Sequence, residues 1–389
     1  MGEGQFSIGM VAGEASGDLL GAHLIEALRT HLPQAHFMGI GGPKMQAQGL
    51  SSLFPMERLS VRGYAEVLRH YPGLVWMRRK LRLALLEARP QLFIGVDAPD
   101  FNLGLEAGLK RAGVPVVHYV SPSIWAWRGG RIGGIARSVD HVLTLFPFET
   151  EIYRKAGVGA TYVGHPLADL IPEQDQTAVT RERLKIAPER KVFALLPGSR
   201  QSELRYMADT FIATAKLLAQ KIERPLFLVP LVSRETREIF EAAMYRADAG
   251  ELPLTVLFGH ARDALAAADV ALVASGTATL EAALLKKPMV ITYKMAGGSW
   301  LLMRRMGYQP YVGLPNILAG EFVVPELLQN DASAENLAQA LLNVLNDNVV
   351  RERLPQRFAA LHHALKCNTA EQAARAVLPL LRPAGSQPA

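Results

Sequence analysis

The sequence predicts an α/β protein of two Rossmann-like, doubly wound domains that face a cleft, followed by a helical tail. Three observations carry this reading. Short apolar runs of strand length alternate with helix-period segments along nearly the whole chain. The alternation is interrupted once, by a polar, proline-bearing stretch at residues 168–190. A chain of 389 residues with 49% hydrophobic and 20% charged content has enough apolar material for two large cores.

In chain order, the first domain spans residues 1–167. Its strands are expected at Ser7–Ala12, His36–Ile40, Leu92–Val96, Val114–Val120 and His141–Leu145. Between the first two, Asp18–Arg29 reads as a helix with Leu19, Leu20, Leu24, Ile25 and Leu28 on one side. Residues 168–190, with Pro172 and Pro188, form a connection that includes a short helix. The second domain, 191–345, repeats the pattern with strands at Val192–Leu196, Leu226–Pro230, Leu254–Leu257, Val270–Val273 and Met289–Thr292, and a further one at Tyr311–Gly313. Glu203–Lys221 and Thr277–Leu285 are expected helices. Residues 346–389 form the helical tail, with helices at Arg351–His363 and Ala370–Leu381. Right-handed crossovers place helices on both faces of each sheet.

The single cysteine, Cys367, excludes an internal disulfide and a cysteine zinc site, and suits a reducing compartment. No apolar run reaches the roughly 18 residues of a membrane span. Glu3 and the lack of a basic leader argue against a secretory signal. The net charge of +6 suits an anionic substrate, nucleic acid or an acidic membrane surface, without choosing among them.

Ligands of doubly wound sheets bind outside the strand C-termini, so the loops there carry the information. After the first strand comes Gly13-Glu14-Ala15-Ser16-Gly17-Asp18. Its glycines permit close backbone approach, with Glu14 and Ser16 as candidate contacts, and Ser16 or Asp18 as a helix cap. Asp97 ends the strand Leu92–Val96 and is the candidate base. Asp100 and Asn102 follow Pro99, Asp100 as a cap or substrate contact. Trp125 and Trp127 lie beside Arg128 and Arg131, one ring suited to a ligand and the other to the core. Arg200, in Leu196-Pro197-Gly198-Ser199-Arg200, suits a phosphate. Ser275, Gly276 and Thr277 break a buried strand into a helix, whose N-terminus attracts a phosphate. Glu281, one turn on, suits the two hydroxyls of a ribose. Asn316, in Leu314-Pro315-Asn316, offers a donor and an acceptor. His118, His165, His362 and His363 show no metal spacing, and no Asp-x-Asp pattern is present, so no metal is expected.

The segment Val61–Arg89 is apolar, aromatic and basic together, with seven bases against two acids. That composition suits either a membrane-interface helix or an amphipathic helix packed on its own sheet. Val67, Leu68, Tyr71, Val75, Trp76 and Met77 are the candidate membrane or acyl contacts. Pro72-Gly73 is expected to split the segment into two helices. Trp300–Arg305 repeats the theme.

Taken together and in order, Val11–Asp18, Asp97–Asn102, His118–Ser123 with Trp125–Arg128, Leu196–Arg200, Ala274–Thr277 and Leu314–Asn316 resemble lipid A disaccharide synthase of Gram-negative bacteria. The resemblance covers nearly the whole chain, through Cys367-Asn368. It implies an inverting glycosyltransferase of the GT-B type, joining UDP-2,3-diacylglucosamine to 2,3-diacylglucosamine 1-phosphate through a β-1,6 bond and releasing UDP. It implies Asp97 as the base, Arg200 and Ser275–Thr277 on the diphosphate, Glu281 on the ribose, Asn316 on the donor, and Glu14 near the sugar of donor or acceptor. The UDP-sugar is then a substrate and no cofactor is expected. It further implies a cytoplasmic enzyme peripheral to the inner face of the cytoplasmic membrane, a homodimer with exchanged C-terminal segments, and no nucleic-acid partner. The rival readings are another UDP-N-acetylglucosamine-dependent enzyme of this scaffold, such as a 2-epimerase, and a noncatalytic nucleotide- or lipid-binding protein.

Overall fold

The computed structural model describes residues 6–59, 64–125, 129–306 and 310–381, with the backbone alone for 64–71, 302, 304 and 306. It divides into two compact units, Met1–Asp169 with Leu365–Ala389, and Leu170–Ala364.

The first unit holds a seven-stranded parallel sheet of β1 (Ser7–Ala12), β2 (His36–Ile40), β3 (Leu50–Ser52), β4 (Leu92–Val96), β5 (Val116–Tyr119), β6 (His141–Thr144) and β7 (Gly159–Tyr162). Their order is β3-β2-β1-β4-β5-β6-β7. The central strands read as unbroken apolar runs because helices cover both faces. One face packs on Leu24, Ile25 and Leu28 of helix Ala15–His31, together with Ala373, Ala374 and Val377 of the C-terminal helix Thr369–Val377. The other face packs on Met77, Leu81 and Leu85 of helix Tyr64–Ala88 and on Leu105 and Leu109 of helix Pro99–Arg111.

The second unit holds six parallel strands, β8 (Lys191–Leu196), β9 (Pro225–Leu231), β10 (Leu254–Phe258), β11 (Val270–Ala274), β12 (Met289–Tyr293) and β13 (Glu326–Leu328). Their order is β10-β9-β8-β11-β12-β13. Phe193, Phe211, Phe227, Phe240, Leu337 and Leu341 lie in its core.

Several elements differ from the sequence reading. Helix Tyr64–Ala88 runs through Pro72 instead of splitting there. The lost bond and the ring clash cost about 3 kcal/mol, and the fully buried Leu81 and Leu85 beyond the proline offset it. Tyr311–Gly313 is not a strand. The backbone N–H groups of Val312 and Gly313 both donate to the Glu326 carboxylate at 2.9 Å, so they are not available to a ladder. The outer strands β3, β7 and β13 escaped the reading because they are three or four residues long and partly exposed. The segment 346–389 is shared between the units, changing at Ala364/Leu365 inside helix Asn348–Leu365.

Both sheets reverse their winding near the middle, between β1 and β4 and between β8 and β11. Such a switch point opens a crevice at the strand C-termini. The loops that leave it are Gly13–Gly17 and Asp97–Pro99 in the first unit, and Gly198–Arg200 and Ser275–Thr277 in the second.

Candidate functional site

In the first unit, the two switch-point loops touch. A Cβ on Gly13 would lie 2.7 Å from the Cβ of Ala98, so only glycine fits there. Asp97 and Ala98 have φ of 52° and 45°, consecutive left-handed residues neither of which is glycine. That conformation is costly and persists only when its surroundings enforce it. The enforcing bonds are visible. The Asp97 N–H donates to the Tyr119 carbonyl at 2.8 Å. The Asn102 amide donates to the carbonyls of Asp97 at 2.7 Å and Val11 at 3.3 Å, tying the end of β4 to β1.

Asn102 is fully buried, so it holds the loop from below. Asp100 does not cap the helix. Ala98 occupies the N-cap position and Pro99 the first turn, which leaves Asp100 exposed and paired with Arg131 at 2.7 Å. Glu14 and Ser16 are exposed at the start of helix Ala15–His31, and neither makes a side-chain cap. Asp18 is a cap, but of a different helix: its oxygens accept from the N–H groups of Lys44 and Met45, both at 3.0 Å, at the start of Pro43–Ala47.

Sequence reasoning missed a buried ion pair behind this loop. His118 Nδ1 lies 2.6 Å from Glu106 Oε1, both side chains fully buried. Burial pulls the imidazole pKa down, but the charge and hydrogen bond of Glu106, with the charge of Asp97, outweigh it and the net shift is upward. Gly95 is required beside the pair, since a Cβ there would collide with the Glu106 carboxylate. Trp125 is half-buried, and its indole N–H donates to Glu149 at 3.0 Å. Trp127 and Arg128 lie outside the described residues.

In the second unit, Gly276 has φ 157° and ψ −166°, a region that glycine alone occupies readily. It is the N-cap residue of helix Thr277–Leu284 and has no side chain with which to cap it. Gly276 and Thr277 are exposed, so this N-terminus presents its amides and dipole outward. The Ser275 hydroxyl donates to the Val312 carbonyl at 2.9 Å and so fixes the neighbouring turn. Glu281 sits one turn on with Arg262 Nε 3.5 Å away. Burial raises the Glu281 pKa, and Arg262 opposes that rise. Arg262 is a second residue the sequence did not reveal, because no local pattern links it to a carboxylate 19 positions away.

Arg200 extends outward, its side chain 76% exposed. The amides of its turn are occupied: Ser199 N and Arg200 N donate to Glu203 Oε2 at 2.9 and 3.1 Å. The guanidinium lies 3.9 Å from Glu203 Oε1, a loose pair at an exposed position, so it rather than the turn is the group that could meet an anion. Asn316 is fully buried. Its amide donates to Val324 O and Glu326 Oε1 at 2.9 and 2.8 Å, and its oxygen accepts from Val323 N and Val324 N at 2.8 and 3.0 Å. Its bonding capacity is filled, which makes it a brace of the loop rather than an open ligand group.

On helix Tyr64–Ala88, Val75 and Trp76 are 39% and 54% exposed. Lys80 lies 5.9 Å over the Trp76 ring. Met77 turns inward, 2% exposed, because positions 77, 81 and 85 share the core-facing stripe. The side chains of Val67, Leu68 and Tyr71 lie outside the described residues. Among the described residues, no helix is long and apolar enough to cross a membrane, and no group of three or more His, Cys, Asp or Glu could hold a metal ion.

Residues 8–377 match the family model described as lipid-A-disaccharide synthetase. The lipid-A-disaccharide synthase of Dechloromonas aromatica is 60% identical over 375 residues, 96% of this chain and 98% of that protein. Among solved structures, sucrose-phosphate synthase from Thermosynechococcus elongatus superposes with a TM-score of 0.61 at 15% identity, over 97% of this chain and 99% of that one. Anabaena HepE, solved with UDP and glucose, superposes with a TM-score of 0.57 at 15% identity, over 97% and 100%. These structural likenesses establish the two-sheet fold.

Proposed function

The chain belongs to the lipid-A-disaccharide synthase family, glycosyltransferases that join lipid A precursors, and from that premise we propose a division of labour between its two units. The first unit takes the acceptor, 2,3-diacylglucosamine 1-phosphate, and the second takes UDP-2,3-diacylglucosamine. The Asp97 carboxylate accepts the proton of the acceptor 6-hydroxyl as its oxygen bonds to the donor's anomeric carbon. The bond from that carbon to the diphosphate breaks with its electron pair, and UDP departs. One displacement from the opposite side inverts the anomeric centre and gives the β linkage.

Charge grows on the departing diphosphate. The Arg200 guanidinium and the helix start at Gly276 and Thr277 stabilise it, a reading supported by the exposure of all three residues. Glu281 holds the ribose hydroxyls, with Arg262 keeping its carboxylate available. Asn102 and Asn316 act indirectly, by bracing Asp97 and the 311–316 turn, and Glu14 and Ser16 line the acceptor side. The acyl chains stay near a bilayer that Val75 and Trp76 enter while neighbouring bases meet anionic headgroups. The protein then sits peripherally on the inner face of the cytoplasmic membrane, as a homodimer.

The observation that carries the reading is the left-handed backbone at Asp97 and Ala98, a cost concentrated where a base is needed. The test is incubation of the purified protein with both diacyl sugars in the presence of a chelator. The expected products are the disaccharide 1-phosphate and UDP in equal amounts. An epimer formed from UDP-N-acetylglucosamine alone, with no disaccharide, would overturn the reading.

A further inference from the structure

Glu149 opens helix Glu149–Lys155 and is 2% exposed. Neutral donors surround it: the Trp125 indole N–H to Oε1 and the Phe146 backbone N–H to Oε2, both at 3.0 Å, with the Ser121 hydroxyl and the Leu145 backbone N–H also bonding to it. Among the described residues, the titratable groups around it carry no compensating charge. Tyr153, one turn on, bonds to Ser121 at 2.8 Å, and burial pushes its phenol pKa up. His165 stacks on Phe146 with centroids 5.4 Å apart, and burial lowers its pKa to about 4, so it is neutral at pH 7. Burial likewise pushes Glu149 up to about 7, against the pull of its donors. A buried carboxyl costs free energy unless its hydrogen bonds are made.

It holds Trp125. The indole is locked edge-on against Phe148 at 5.4 Å and Phe146 at 6.4 Å, and those two rings stack on each other at 5.8 Å. The cluster sits in the loops that follow β5 and β6, at the same C-terminal end of the parallel strands as Asp97. Trp125 itself stays half-exposed.

We propose that Glu149 is a positioning residue that latches Trp125 as the wall against which the acceptor sugar packs. This rests on the reading that the first unit takes the acceptor. An aromatic face suits the C–H face of a pyranose, but only if the ring is fixed before the sugar arrives. Once ionised, the carboxyl does this with a charge-assisted bond to the indole.

The test compares Glu149→Gln, Trp125→Phe and the double variant, each checked for folding by circular dichroism. Each single variant should raise the KM for the acceptor roughly tenfold, leaving the KM for UDP-diacylglucosamine unchanged. The double variant should be no worse than Trp125→Phe alone, since without the indole N–H there is no bond for a charge at 149 to strengthen. Independently of turnover, wild-type tryptophan emission should titrate with a midpoint near pH 7, and that component should vanish in both single variants. An unchanged acceptor KM in Glu149→Gln, additive losses, or the same titration in that variant would overturn the latch. Wild-type protein that makes no disaccharide would instead overturn the reaction assigned above, while the emission titration still reads the latch.

Discussion

Asp97 sits where local physics and chemistry disagree, and the disagreement is informative. A left-handed aspartate followed by a left-handed alanine is unfavourable on its own, so Asn102 and the Tyr119 carbonyl must hold it. Asp97→Asn keeps shape and hydrogen bonding but cannot take a proton. Turnover should fall by roughly 10²–10⁴, while UDP affinity measured by calorimetry stays at the wild-type value; wild-type turnover would remove Asp97 from the mechanism. Glu149 supplies a stability prediction with a definite sign. Its folded pKa of about 7 lies above the ordinary 4.5, so the folded state holds the proton more tightly than the unfolded chain. Its stabilisation is complete below pH 4.5 and is lost as pH rises through 7, by about 3 kcal/mol in all. Denaturant melts of the wild type and Glu149→Gln between pH 5 and 8 should differ in slope, the wild type losing stability that the variant keeps. Parallel curves would mean that the carboxyl is not held this way. The residues that could be read from sequence, Gly13, Asp97, Arg200 and Gly276, all sit at the end of a strand that the pattern itself located. Arg262 could not be read this way, and the sequence reads Asn316 as an open donor and acceptor where its bonds are in fact filled within the loop. The partners of Asn316 are set by how the 311–326 turn folds back, and that of Arg262 by helix packing across 19 positions.

At the scale of elements, the long parallel strands were legible because burial on both faces leaves only apolar residues in them. β3, β7 and β13 were not, since a short, partly exposed edge strand resembles a loop in composition. Helix Tyr64–Ala88 is the instructive case. Its basic and aromatic composition was legible, but not which residues it turns outward. Phase along the helix decides that: Met77, Leu81 and Leu85 face the core, while Val75, Trp76 and Leu83 are exposed. Trp76 with Lys80 over its ring presents an amphipathic surface of the kind that settles at a lipid headgroup layer. Val75→Ser with Trp76→Ser should therefore release the protein from anionic vesicles in a sedimentation assay, with little loss of thermal stability because neither side chain is in the core. Sedimentation equal to that of the wild type would argue that this face meets something other than a bilayer. Met77→Ser should instead lower stability.

At the scale of the whole molecule, the chain returns to its beginning. The first unit is made from both ends of the sequence, and Ala373, Ala374 and Val377 from the last described helix are fully buried against Leu24, Ile25 and Leu28 from the first. The sequence showed helices near the C-terminus, but periodicity along one helix does not say which sheet it will cover. The structure shows the device that fastens it. Asn368 enters helix Thr369–Val377 in a left-handed conformation and provides no side-chain cap. Asp169 supplies one from nearly 200 residues earlier, its two oxygens accepting from Asn368 N at 2.9 Å and Thr369 N at 2.7 Å. A cap of this kind contributes about 1 kcal/mol, which corresponds to a roughly fivefold change in a local opening equilibrium. Asp169→Ala should thus speed hydrogen exchange several-fold in helix Thr369–Val377 and in the face of helix Ala15–His31 that it covers. Amides of β8 and β11 should exchange as before, because their core is built from a different part of the chain. If exchange in the C-terminal helix did not change, its attachment would rest on the apolar contacts alone. If exchange rose equally in β8 and β11, the two units would open as one cooperative body instead of two.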